Sequence, residues 1–212
     1  MIKRELYMNR IRPFIGGELI KVMTGIRRSG KSVMLELIKE ELAEAGVAPS
    51  QMISINFEDM RYSHLQTATA LHDEIIKRAE GIEGKAYLFF DEIQEVEGWE
   101  KCVNSLRVAL DCDIYITGSN AKLLSGELAT YIGGRYVEFV IYPFSFAEFL
   151  ELYHTIAPSD SIQQCFQKYL LAGGMPYLAN LRYEEEPSRQ YLTDLFNSVQ
   201  LKDIVKRNKI RD

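Results

Sequence analysis

Short apolar runs alternate with helical patterns through the first two-thirds of the chain. The runs are IKVMT (20–24), MISINF (52–57), AYLFF (86–90), IYIT (114–117) and YVEFVIY (136–142). The stretches between them carry apolar residues at helical spacing. Leu35, Ile38, Leu42 and Ala45 share one face of a helix that stops at Gly46, a natural C′ residue. Leu65, Ala68, Leu71 and Ile75 mark a second helix ending at Gly81, and Trp99, Val103, Leu106 and Leu110 mark a third. Each stripe reads as core. The alternation predicts an α/β fold: a mainly parallel sheet wrapped in three layers by helices.

After Tyr142 and Pro143 the strand pattern ends. Ser145-Phe-Ala-Glu148 is a capping box, and Phe144 and Phe149 stand where a hydrophobic staple would, so a helix begins there. Helical stretches follow at about 161–172 and 188–206, separated by AGGMPY and EEEPS. The expected organisation is an α/β core over 1–142 and a small helical lid over 143–212. The last helix shows no C-cap before Asp212, so the chain reads as a piece of something longer.

Composition narrows the class. With 47% hydrophobic and 26% charged residues among 212, the chain reads as an ordinary soluble protein. No apolar run approaches 18 residues, and MIKRELYMNRIRPF lacks the apolar centre of a signal peptide; a cytoplasmic protein is expected, with no membrane contact. Cys102, Cys112 and Cys165 are widely spaced and read as reduced thiols; His64, His72 and His154 fit no metal spacing. The net charge of −5 argues against a surface built wholly for polyanions. Only the tail, KDIVKRNKIRD, is locally basic, and a solvated helix end accounts for it better than nucleic-acid contact does.

Between the first apolar run and the first helix lies Gly25-Ile26-Arg27-Arg28-Ser29-Gly30-Lys31-Ser32, the full Walker A pattern. Glycines let successive backbone N–H groups turn inward around phosphate oxygens, and the helix opening at Lys31 adds its positive end. The main chain of residues 25–33, through Val33, is the expected cradle. Lys31 would reach the β- and γ-phosphates, and the Ser32 hydroxyl would join Mg²⁺. The side chains of Arg27 and Arg28 are expected to point away, solvated or toward a partner.

A second motif, Asp91-Glu92, closes the strand in YLFFDEIQ and matches Walker B. Asp91 is suited to hold Mg²⁺ through water, and Glu92 to orient and polarise an attacking water, which makes hydrolysis the leading reaction. One further strand, MISINF, separates the two motifs in sequence, the order of P-loop enzymes of the additional-strand, catalytic-Glu type. The next strand runs into Thr117-Gly118-Ser119-Asn120. Asn120 or Ser119 is placed to contact the γ-phosphate or water, and either would serve equally as an N-cap. Arg135, just before the last strand, is the candidate arginine finger, for its own site or a neighbour's, with an ordinary ion pair as its alternative.

With those residues in view, the chain resembles the prokaryotic AAA-type ATP-binding proteins that join a P-loop ATPase core to a winged-helix-like lid and a C-terminal domain of unknown function. The resemblance covers nearly the whole sequence. It rests on RPFIGGELIKVMTGIRRSGKS, NFED (56–59), YLFFDEIQEVEGWE, YITGSNAKLLSGE, GGRYVEFVIYPFSFAEFL and AGGMPYL. It implies ATP, Mg²⁺, the Asp91 and Glu92 roles given above, and self-assembly into a homo-oligomer. GTP proteins carry an Asn-Lys-x-Asp element, and NKIRD in the tail does not fit it, so ATP is expected. Two other readings share the loop. One is a small-molecule phosphotransferase, which would need lid arginines where 143–181 has none. The other is a non-hydrolysing nucleotide switch with a protein or nucleic-acid partner.

Overall fold

The computed structural model describes residues 2–118 and 132–199. Five strands, β1 (Ile20–Thr24), β2 (Met52–Asn56), β3 (Ala86–Asp91), β4 (Cys112–Thr117) and β5 (Tyr136–Val140), form one sheet in the order β2-β3-β4-β1-β5. Every pairing is parallel. β4 therefore lies between the strand leading into Gly25 and the strand ending at Asp91, as the additional-strand type requires.

Parallel strands need crossovers, and the helices supply them while covering both faces of the sheet. Successive side chains along a strand alternate between two cores. On one side, Val22, Leu88, Phe90, Ile114 and Ile116 pack with α3 (Ala68–Ala79) and α4 (Trp99–Ala109), through Leu71, Ile75, Trp99, Val103 and Leu106. On the other, Met23, Phe89 and Tyr115 pack with α1 (Glu5–Ile11) and α2 (Lys31–Glu44), through Met8, Ile11, Met34, Ile38 and Leu42. The Phe89 and Tyr115 rings stack at 4.9 Å. Because both faces are buried, the strands read as unbroken apolar runs. Each fully buried side chain of this size contributes about 1.5–3 kcal/mol.

The α2 helix stops as its sequence predicts: Gly46 takes φ 91°, and the Val47 N–H returns to Leu42 O at 2.9 Å. Leu65 is an exception to the helix expected around it. It ends a 3₁₀ segment, Met60–Leu65, and α3 begins only after Thr67, whose hydroxyl accepts the Ala70 N–H at 3.3 Å.

Contacts divide the chain into two compact units. One holds the sheet, as Lys3–Gly25 and Lys31–Ile141; the other begins at Tyr142 and takes in Ile26–Gly30. In the second, α5 (Phe146–Tyr153), α6 (Ile162–Ala172) and α7 (Glu185–Val199) surround Phe149, Tyr153, Cys165, Leu178 and Tyr183. The α5 capping box forms: the Ser145 N–H donates to Glu148 Oε2 at 2.8 Å and the Glu148 N–H to Ser145 Oγ at 3.4 Å. Ser161 and Gln164 repeat that exchange at α6. The AGGMPY turn answers to a close approach. A Cβ on Gly174 would fall 2.0 Å from Phe144 O, while the Phe144 N–H bonds Gly174 O at 2.7 Å.

Candidate active site

At the end of β1 the backbone turns through Gly25 at φ 144°, Arg28 at φ 62° and Gly30 at φ 100° before α2 begins. Glycine adopts the left-handed region freely, whereas Arg28 is strained there. The Ser29 N–H donates to Ile26 O at 3.3 Å and tightens the turn. Lys31, the first residue of α2, is buried; its ammonium donates to Gly25 O at 3.3 Å and lies 3.9 Å from Glu92 Oε1. Ser32 and Val33 follow on the first turn of α2, both exposed. The Arg28 guanidinium sits 5.5 Å from the centre of the Tyr191 ring of α7, so this exposed side chain meets its own chain as well as solvent.

Asp91 is the last residue of β3 and only 6% exposed. Two adjacent strand ends hold its carboxylate. The Thr117 hydroxyl, at the end of β4, donates to Oδ1, and the Asn56 carboxamide, at the end of β2, donates to Oδ2 at 3.1 Å. Thr117 also fixes the next residue, because its Oγ1 accepts the Glu92 N–H at 3.0 Å. Glu92 needs that restraint: it takes φ 54°, a left-handed conformation unusual for a residue with a side chain. Its Oε2 accepts from Gln94 Nε2 at 2.5 Å.

These donors bear on magnesium. Among the described residues Asp91 accepts hydrogen bonds from two neutral donors. A carboxylate and a hydroxyl are hard oxygen donors of the kind Mg²⁺ takes, and Asp91 and Ser32 would supply one each. No group of three or more His, Cys, Asp or Glu able to hold a metal occurs among the described residues. A Mg²⁺ ion here would complete its shell with water and phosphate oxygens, its usual habit.

The remaining candidates stand apart. Asn120, with Ser119, lies outside the described residues. Arg135 precedes β5 at the end remote from the loop: its carbonyl accepts the Ile20 N–H, where β1 starts, at 3.0 Å, and its Nη1 donates to Asn104 Oδ1 at 2.7 Å. A five-residue strand spans about 16 Å, so Arg135 does not share an end of the sheet with Lys31, Asp91 and Glu92. Of the two settings open to a finger at Arg135, the chain's own site or a neighbour's, this placement argues against the first.

A parallel sheet of this order, with the glycine-bounded loop after β1 and the acid pair after β3, is matched by a family model described as an AAA domain, over residues 18–150. The chain belongs to this family. An uncharacterized protein of Haemophilus influenzae is 41% identical across the whole chain, which covers 52% of that protein. An uncharacterized protein of Methanocaldococcus jannaschii is 34% identical over 91% of the chain and 43% of its own length. The chain thus spans about half the length of the curated relatives it matches.

Among solved structures, AMPPCP-bound DnaA from Aquifex aeolicus aligns over 98% of the chain and 66% of its own, with a TM-score of 0.55 and 14% identity. A P216G mutant of Thermotoga maritima RuvB aligns over 95% and 69%, at 0.51 and 15%. At such identities the likeness establishes the AAA fold alone.

Three residues of this AAA chain that sequence reasoning left without a role are Asn56, Thr117 and Gln94. Asn56 and Thr117 were visible only as the last polar residues of their strands. Their shared target became evident once the sheet order set β2, β3 and β4 side by side.

Proposed function

We propose that the chain binds ATP with Mg²⁺ and hydrolyses it, the cycle driving a conformational change or an interaction with a partner. The carrying observation is the group at the strand ends: Lys31 Nζ stands 3.9 Å from Glu92 Oε1, beside an Asp91 carboxylate held by Thr117 and Asn56. On this reading the main chain of residues 25–33 cradles the phosphates. Lys31 leaves Gly25 O for the β- and γ-phosphate oxygens, and Ser32 and Asp91 hold the metal. Mg²⁺, when bound, neutralises charge on the phosphates. Glu92 accepts a proton from water as the water oxygen bonds to the γ-phosphorus and the bond to the β-phosphate oxygen breaks, leaving ADP.

Arg135 enters this reading only as a contribution to a neighbouring copy in a homo-oligomer, where a guanidinium would meet charge on the transferring group. A cytoplasmic setting accords with Cys102, Cys112 and Cys165, all free thiols. No helix among the described residues is long and apolar enough to cross a membrane.

The test is phosphate release from ATP and Mg²⁺. Lys31→Ala abolishes it, and Glu92→Gln slows it by at least about a hundredfold while leaving binding of a fluorescent ATP analogue intact. Equal turnover by Glu92→Gln and the parent would remove Glu92 as the base. Phosphate transfer only in the presence of an added acceptor would turn the assignment to a phosphotransferase.

A further inference from the structure

Glu92 has two carboxylate oxygens with different surroundings. Oε2 accepts from Gln94 Nε2 at 2.5 Å, whereas Oε1 faces the Lys31 ammonium at 3.9 Å. Gln94 sits in a single 3₁₀ turn, Ile93–Glu95, whose position is fixed by Ile93 and Val96, both buried in the sheet core. The Glu92 main chain is fixed from the other side by Thr117. A carboxylate this near a buried ammonium is drawn toward it, and a closed Lys31–Glu92 pair would remove both groups from chemistry. The Gln94 carboxamide opposes that collapse. Its own carbonyl, Oε1, is buried and has no hydrogen-bond partner among the described residues.

We infer that Gln94 is a positioning residue for hydrolysis: its carboxamide holds Glu92 by one oxygen and keeps the other for the attacking water. The inference rests on the hydrolytic reading proposed above. It adds no reagent, because the proton still passes from water to Glu92. A glutamine side chain suits the task chemically. Its amide N–H donates to the carboxylate, and it brings no charge of its own to compete for Lys31. Misplacing a base by about 1 Å costs on the order of a hundredfold in rate, so a hold of this kind matters to turnover even where it contributes little to folding.

The experiment compares Gln94→Ala and the near-isosteric Gln94→Met with the parent. Both variants are expected to lose about ten- to a hundredfold in kcat, with KM, affinity for a fluorescent ATP analogue and melting temperature unchanged. In a Glu92→Gln background the Gln94 substitutions should cost nothing further, because residues acting through one another are not additive. A readout without turnover accompanies these. In the nucleotide-free protein the Gln94 side-chain amide resonance, assigned by its loss in Gln94→Met, should shift on Glu92→Gln. An unmoved resonance, unchanged kcat, or losses that multiply in the double variants would each overturn the inference while leaving the hydrolytic reading intact. A parent that releases no phosphate from ATP and Mg²⁺ would instead overturn the hydrolytic reading, and this inference with it.

Discussion

The two ends of the sheet both bury charge, but they treat it differently. Near the start of β1 and β4, Lys21 bonds Asp113 Oδ1, and Asp113 Oδ2 accepts from the Gly16 N–H and the Tyr115 hydroxyl, each at 2.7 Å. Lys21 also donates to Gly17 O at 3.1 Å. Every charged atom there meets a partner within the protein, and both side chains are fully buried. At the other end, Asp91 rests on neutral donors and Glu92 keeps an oxygen 3.9 Å from Lys31. Among the described residues the first network is closed, whereas at the second the Lys31 ammonium and the Glu92 carboxylate stop short of hydrogen-bond contact. Burial of charge alone therefore does not mark a site; the difference lies in whether the protein itself finishes the coordination.

The largest effect expected from that contrast is at the closed end. Asp113→Ala leaves the Lys21 ammonium buried without its counter-charge and should cost about 3–5 kcal/mol of stability, read as a fall in the urea unfolding midpoint. Lys21→Met together with Asp113→Leu should recover part of this loss. The shortfall belongs to the Gly16 N–H and the Tyr115 hydroxyl, which lose their acceptor. A single substitution that leaves the midpoint unmoved would show that this end is not closed.

Much of this was legible in the sequence, for physical reasons that also explain the exceptions. Unbroken apolar runs such as IKVMT and AYLFF announce strands covered on both faces, and Gly46 and the Ser145–Glu148 box mark helix ends through local chemistry. Walker A is local too: one turn of chain makes it, so its spacing survives in the sequence. The cradle of Asp91 is not local. Asn56, Asp91 and Thr117 are separated by tens of residues and meet only because β2, β3 and β4 lie side by side. Arg135 misleads in the same way. Its position just before an apolar run says nothing about which end of the sheet the run starts from, and parallel pairing of β5 with β1 sends it to the far end. Arg28 shows a different limit, since only glycine makes a left-handed residue visible in sequence, and here an arginine takes that conformation.

At the open end the expected effect on folding is smaller and the effect on ligand larger. Asp91→Asn keeps an acceptor for Thr117 or Asn56 and removes a carboxylate whose hydrogen bonds here come from neutral donors. Stability should change by no more than about 1 kcal/mol. The strengthening of ATP-analogue binding by Mg²⁺ should fall by at least about tenfold, measured by titration with and without the metal. A loss of stability equal to that of Asp113→Ala would erase the distinction between the two ends.

The smallest effect comes from a thiol that borders the closed network. Cys112, the first residue of β4, lies next to Asp113, and its thiol is pushed up to about 11, by burial first and by the Asp113 charge second. In the unfolded chain it ionises near 9.0. The folded state keeps the proton longer, so this contribution to stability is complete below pH 9 and is lost as pH rises from there through 11. Cys102, pushed up to about 12 by burial, loses its contribution over an overlapping and slightly higher range. Cys112→Ala should therefore flatten part, not all, of the alkaline decline when urea midpoints are compared at pH 8, 9, 10 and 11. If the variant declines as steeply as the parent, water reaches the start of β4, and the network around Asp113 is less closed than its hydrogen bonds imply.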